Sequence, residues 1–224
     1  MEKIRIVIDL STGQDCLVLE YYQNLFKKLI AMQDIFDLRM ITDSTEIDIA
    51  DLCLSSSKKN VSAYNDLGIT SCFIDTSKPI VINNTESSNT ITFAFDCDCV
   101  LFDSEAEDVY KQYGLEAFNG YEYANRDNPM RPGPFYRLIK KLNKIKKVDN
   151  RIKLVACTAR SYPANERALH TFDVWNIDFD AIFFCGSNSK GDVLLSVDTD
   201  IFFDDNIKNV EDAVSHGVLA GQVV

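Results

Sequence analysis

The sequence predicts an α/β protein built as a three-layer sandwich, a parallel sheet with helices packed on both faces. Short apolar runs suited to buried strands alternate with stretches that are apolar at helical spacing. Strands that alternate with helices form parallel sheets covered on both faces. At 224 residues the chain has enough apolar sequence to enclose such a core, as one large domain or two small ones.

The chain opens as Met1-Glu2-Lys3-Ile4-Arg5 and runs directly into a strand-like segment, without the positive flank, apolar core and cleavage site of a signal peptide. Residues 83–90, Asn-Asn-Thr-Glu-Ser-Ser-Asn-Thr, form a polar stretch of turn formers. They are expected to divide an N-terminal α/β segment, 1–89, from a second segment, 90–224. In the second segment, strands are expected at 92–95, 152–157, 181–185 and 200–203. Helices are expected at 135–147, after Gly133-Pro134; at 163–175, opening on a proline; and at 207–216, ending before Gly217. Residues 217–220 read as a last strand that closes the sheet.

Composition narrows the function. A formal net charge of -11 disfavours a broad nucleic-acid footprint, which needs a surplus of Lys and Arg. No apolar run approaches the length of a membrane span. Seven cysteines, an odd number without zinc-type pairs, indicate reduced thiols in a cytoplasmic setting, most of them small buried hydrophobes.

In a parallel α/β sheet, ligands sit outside the carboxyl ends of the strands, so the residues that follow each run carry the information. The first run is followed by Asp96 and Asp98 and the second by Thr158-Ala159-Arg160-Ser161. The third leads to Gly186 and Lys190, and the fourth to Asp204-Asp205. These groups match the needs of phosphate-ester hydrolysis. Asp96 is an ionised carboxylate able to attack phosphorus, and Asp98 is placed to protonate the leaving oxygen and then deprotonate water. Thr158 and the backbone N–H beside it can hold phosphate, and Lys190 supplies a point charge. Asp96 with Asp204 or Asp205 suits Mg²⁺, which takes one or two carboxylates beside water and phosphate oxygens. Any one of these residues alone is commonly a cap or a solvated side chain. The ordered set at four successive strand ends is what points to catalysis.

At these residues the sequence resembles the haloacid dehalogenase (HAD) superfamily. More narrowly, it resembles the cytosolic 5′-nucleotidase I family, through Phe93-Ala94-Phe95-Asp96-Cys97-Asp98-Cys99-Val100-Leu101-Phe102, Tyr113-Gly114-Leu115, Gly133-Pro134, Thr158-Ala159-Arg160-Ser161, Lys190-Gly191 and Phe202-Phe203-Asp204-Asp205. The resemblance covers about residues 90–224. It implies a HAD-like Rossmannoid fold and a Mg²⁺-dependent enzyme that hydrolyses nucleoside 5′-monophosphates, AMP-like ones among them, through an aspartyl-phosphate. Asp96 and Asp98 then match the nucleophile and the acid/base. Thr158, Ala159 and Lys190 match the phosphate binders. Asp96, Asp98 (through its carbonyl), Asp204 and Asp205 match the metal site. Cys97 and Cys99 depart from the smaller residues expected beside the aspartates.

The resemblance also implies a small cap at about residues 102–131, with Phe102, Phe118, Tyr121 and Tyr123 as candidates to stack on a base. Arg131 and Arg160 are candidates to meet phosphate or ribose. The expected partners are a nucleoside monophosphate or another small phosphomonoester, and a homo-oligomer is compatible with the sequence. Neither a nucleic-acid polymer nor a membrane is expected. A phosphatase for another small phosphomonoester and a catalytically silent nucleotide- or metal-binding protein stand as alternatives.

The N-terminal segment reads as a degenerate copy of the catalytic half. In this reading Asp9 and Ser11 stand for Asp96 and Asp98, Thr42 for Thr158, Ser77-Lys78 for Ser189-Lys190 and Asn83-Asn84 for Asp204-Asp205. An even simpler reading has residues 1–90 merely extending the sheet.

Overall fold

The computed structural model describes residues 2–12, 22–47, 49–77 and 89–224. The N-terminal half contains β1 (Ile4–Asp9), α1 (Gln23–Ala31), β2 (Phe36–Ile41), β3 (Leu52–Ser55), α2 (Lys58–Asp66) and β4 (Ser71–Phe73). The C-terminal half contains β5 (Ile91–Phe95), α3 (Glu105–Ala124), α4 (Tyr136–Lys146), β6 (Ile152–Thr158) and α5 (Ala164–Trp175). It continues through β7 (Ala181–Phe184), α6 (Gly191–Ser196), β8 (Ile201–Asp204), α7 (Ile207–Ser215) and β9 (Leu219–Gln222).

The nine strands among the described residues form one sheet in the order β2-β1-β3-β4-β9-β8-β5-β6-β7, with helices on both sides. Pairing is parallel within each half, and the two halves meet at β4 and β9, which run antiparallel through Phe73 and Gln222. The strand predicted to close the sheet therefore does not close it. It falls at Leu219–Gln222 and lies inside the sheet, because its outer edge is taken by β4. Gly221 allows this close approach, since a Cβ there would lie 2.4 Å from Cys72 Sγ on β4.

The antiparallel junction sends the carboxyl ends of the two halves to opposite edges of the sheet. Within each half the order is nonetheless alike: β4-β3-β1-β2 against β9-β8-β5-β6, with β7 added at the outer edge. Asp9 ends the strand that corresponds in this order to β5, and Thr42 directly follows the one that corresponds to β6. The place of β8 is held by β3, which ends in Ser55. Lys78 and Asn83-Asn84 lie outside the described residues.

β5 is buried along its whole length, as a central strand of a doubly covered sheet must be. Phe95, Phe135 and Phe203 pack beneath its carboxyl end, with centroids 5.3 Å apart for Phe95–Phe203 and 4.8 Å for Phe135–Phe203. This cluster is the floor on which the next residues stand.

Between β5 and α4 the chain makes a wide turn, Cys97–Leu101, closed by Phe102 N–H to Cys97 O at 2.8 Å. It then enters α3, which bends at Gly114 (φ 81). The insertion is pinned at its base, where Phe102 bridges Pro132 and Asp103 N–H donates to Arg131 O. Gly133 must be glycine at this neck, because a Cβ would sit 2.2 Å from Phe102 O. Cys99 holds the turn with φ 58, a left-handed conformation that costs a non-glycine residue about 1 kcal/mol.

Candidate active site

Asp96 extends β5 by one residue, its N–H donating to Phe203 O at 2.8 Å on β8. That bond places it beside Asp204, the last residue of β8. Lys190, just ahead of α6, reaches between them and donates 2.7 Å hydrogen bonds to Asp96 Oδ1 and Asp204 Oδ2. All three side chains are more than nine-tenths buried. The loop that carries Lys190 is tied down by Asp212 on α7, whose Oδ2 accepts from Ser189 Oγ and Gly191 N–H, each at 2.8 Å.

The electrostatics follow from this crowding. Burial pushes the Asp96 carboxyl up to about 7, with Lys190 opposing and the Asp204 and Asp98 charges adding to the rise. Burial also raises Asp204 and Asp205. For Lys190, burial works against the charge, but Asp96 and Asp204 outweigh it and the ammonium is held well above its ordinary range. One cation among three carboxylates leaves a net negative pocket. Oxygens of Asp96, Asp204 and Asp205 lie within 4.8 Å of one another, a hard-oxygen donor set that fits a divalent cation such as Mg²⁺.

The acidic pair divides its work. Asp204 is committed: besides Lys190 it accepts from Asn206 N–H at 2.8 Å and from Asn209 Nδ2 at 3.0 and 3.2 Å. The Asp205 carboxylate takes no side-chain donor among the described residues and is only half-buried, so it has free oxygens to offer a metal.

Thr158 ends β6 and is buried, with its Oγ1 accepting from Arg160 N–H at 3.2 Å. Its hydroxyl proton stays available to an anion. Ala159, beside it, is exposed at the strand end. Cys157 and Cys185 meet behind this end, Sγ to Sγ 3.5 Å.

Asp98 lies in the turn after β5, and Arg160 grips both its oxygens, Nε to Oδ2 at 2.9 Å and Nη2 to Oδ1 at 2.7 Å. Arg160 is itself buried against Asp98 and Glu122 rather than open to a ligand. Phe102 is likewise enclosed, stacked on Phe172 at 5.3 Å with Trp175 at its edge. Arg131 is exposed and paired with Asp103 and Glu105 at the neck of the insertion. Phe118 is buried beside Tyr110, and Tyr123 is about half exposed under Arg126.

Asn209, Asp212, Glu122 and Arg167 are not among the candidates that the sequence offers. Asn209 and Asp212 were hidden as polar positions of a helix. Glu122 carried a signal, because it stands four residues after Phe118 and so shares its face of α3.

No solved structure matches the chain. It is 29% identical over 136 residues to human cytosolic 5'-nucleotidase 1B, an alignment covering 57% of this chain and 22% of that protein. The chain thus matches well under half the length of that relative. The model of the 5'-nucleotidase family matches residues 46–224, most of the sequence and every residue of the site just described. By that match, the chain belongs to the 5'-nucleotidase family.

Proposed function

We propose that this chain is a Mg²⁺-dependent phosphoric monoester hydrolase that cleaves nucleoside 5′-monophosphates, AMP-like ones included, to nucleoside and phosphate. The observation that carries the reading is the placement of Asp96 at the end of β5, bonded to Lys190 and within reach of the Asp204-Asp205 pair. Family membership and the name of the human relative support the substrate class. The relative's name also supports a cytosolic site of action. No helix among the described residues is long and apolar enough to cross a membrane.

In the proposed reaction an Asp96 oxygen attacks phosphorus. The bond from phosphorus to the ester oxygen breaks, an aspartyl-phosphate forms, and the electron pair leaves with the nucleoside oxygen. Asp98 delivers a proton to that oxygen. It then takes a proton from water as the water attacks phosphorus, which releases inorganic phosphate and restores the Asp96 carboxylate. Lys190, the Thr158 hydroxyl and the backbone at Ala159 hold the phosphoryl oxygens. Asp96, Asp205 and the Asp98 carbonyl would hold Mg²⁺, with Asp204 fixing Lys190. Bound there, the metal neutralises the charge of the phosphoryl group.

The N-terminal half is proposed as a degenerate, inactive copy of the catalytic half. Its shared strand order supports this, as does the fate of Asp9, whose Oδ2 accepts from Ser55, Asn60 and Tyr64 at 2.8, 2.8 and 2.9 Å and whose Oδ1 accepts from Ser11 N–H at 3.0 Å.

The test is phosphate release from AMP, other nucleoside monophosphates, sugar phosphates and an aryl phosphate, in Mg²⁺ or EDTA, for wild type and Asp96→Asn. Metal-dependent turnover of AMP that Asp96→Asn abolishes is expected. Preference for a sugar phosphate would keep the chemistry and reject the nucleotidase assignment. Absence of metal-dependent turnover on every substrate would reject the hydrolase.

A further inference from the structure

Behind Asp98 runs a chain of buried charges that the reaction above does not use. Arg160, which grips both Asp98 oxygens, also donates through Nη1 to Glu122 Oε2 and to Ala164 O, the latter at 3.0 Å. Its guanidinium lies between the rings of Phe102 and Phe118, 5.5 and 5.3 Å from their centroids. The Glu122 side chain is fully buried, and its second oxygen accepts from Arg167 Nη1 at 2.8 Å. Arg167 is anchored in turn by Nε to Asn128 O at 2.9 Å.

The charges alternate: Asp98, Arg160, Glu122, Arg167. Burying an unpaired ion costs several kcal/mol, so each member persists only because its neighbours are present. Arg160 precedes α5 and Arg167 lies on it, whereas Glu122 and Phe118 belong to α3, in the insertion. A single carboxylate thus joins the insertion to the residue that moves the proton. Arg160 has more than one torsional state open to it, and the ion pair with Glu122 together with the two rings selects the one that presents Nε and Nη2 to Asp98.

We propose that Glu122 is a positioning residue for the hydrolysis proposed above: through Arg160 it fixes the orientation of the Asp98 carboxyl, so that the insertion and the acid/base act as one unit. Glu122 lies behind Arg160 and acts only through it. This inference rests on the hydrolase reading.

The chemistry supplies a readout that a purely structural role would not move. An alkoxide leaving group, the nucleoside oxygen, needs a well-aimed proton as it departs, whereas an aryl oxide is stable enough to leave with little help. Glu122→Gln, nearly isosteric, removes the charge that holds Arg160. It is expected to lower kcat/KM for AMP about tenfold or more while changing that for an aryl phosphate by less than about threefold. Glu122→Asp keeps the buried charge balance but draws the carboxylate back from Arg160, and its ratio of the two rates should fall between wild type and Glu122→Gln. Should Glu122→Gln not fold, as judged by circular dichroism and thermal melting, the ratio for Glu122→Asp decides. Parallel losses on both substrates, or an unchanged ratio in the folded variants, would overturn the positioning role alone. Wild type without turnover of either substrate would overturn the hydrolase reading and this inference with it.

Discussion

Lys190 donates to Asp96 Oδ1 over 2.7 Å from a position where the same nitrogen also reaches Asp204 Oδ2 at 2.7 Å, so one buried ammonium serves the proposed nucleophile and its acidic neighbour together. The two bonds come from different strands and meet at one atom. Lys190 is therefore as much a structural tie between β5 and β8 as a proposed phosphate ligand.

Lys190→Met should be costly in both respects. Without the ammonium, two buried carboxylates face each other unpaired, and breaking such a pair costs about 3 kcal/mol or more. Urea denaturation in EDTA is expected to show that loss, with partial recovery on adding Mg²⁺, while phosphate release falls by orders of magnitude. Unchanged stability in EDTA would mean that the Lys190 tie does not bear on folding.

Asp204 and Asp205 should respond differently to amide substitution. Asp205→Asn removes a carboxylate with no side-chain donor among the described residues, so stability should stay within about 0.5 kcal/mol of wild type. Its affinity for Mg²⁺, read from the melting-temperature rise on titration, should drop on the order of tenfold. Asp204→Asn disturbs the bonds from Lys190, Asn206 and Asn209 and should destabilise the apo protein by about 2 kcal/mol. Equal effects at the two positions would refute the division of roles.

Asp9 predicts a pH signature away from the proposed active site. Burial pushes its carboxyl up, but hydrogen bonds from Ser11, Asn60 and Ser55 outweigh burial and leave it below the ordinary 3.8. A carboxyl depressed in the folded state contributes stability that is fully present above its unfolded value, near 3.8, and is lost as pH falls through the lower folded value. Asp9→Asn should therefore cost about 2 kcal/mol at neutral pH and flatten the stability curve below about pH 4. Because the carboxyl ends of β1 and β5 point to opposite sheet edges, turnover per folded molecule should not change. Denaturant unfolding across pH 2–7, about the range acid stability spans, checks the first claim and rates scaled to folded protein check the second.

Gly133→Ala should destabilise the neck of the insertion by about 2 kcal/mol, since the added methyl meets Phe102 O, which is backbone and cannot swing aside. For a chain of this length that corresponds to a melting-temperature drop of roughly 4–8 °C. A melting temperature within about 1 °C of wild type would show that the neck relaxes freely.

Much of the candidate site was legible because each piece sits at a strand end. Asp96, Thr158 and Asp204 directly follow or close buried runs, and a parallel sheet sends all such ends to one edge. Lys190 was legible for the same reason, one loop after β7. By sequence Arg160 and Phe102 are candidates to face a ligand, whereas the fold encloses both, Arg160 against Asp98 and Phe102 against Phe172. A charged or aromatic residue near a motif shows its chemistry in the sequence but not the direction it faces.

The α/β alternation, the order of the four strand ends and the candidate set Asp96, Asp98, Thr158, Lys190, Asp204 and Asp205 can be read from the chain alone, because strand and helix periodicity are local and place these residues at strand ends. The pairing of β9 with β4, which joins the halves edge to edge in opposite directions, and the burial of Glu122 between two arginines emerge only on folding. Both depend on partners far away in the chain: Gln222 meets Phe73, and Glu122 is neutralised by Arg160 and Arg167 from β6 onward. A glutamate on a helix is ordinarily solvated; its place four residues after Phe118 marks the inward face of α3, but the two arginines that neutralise it are supplied only by the packing of α3 against α5.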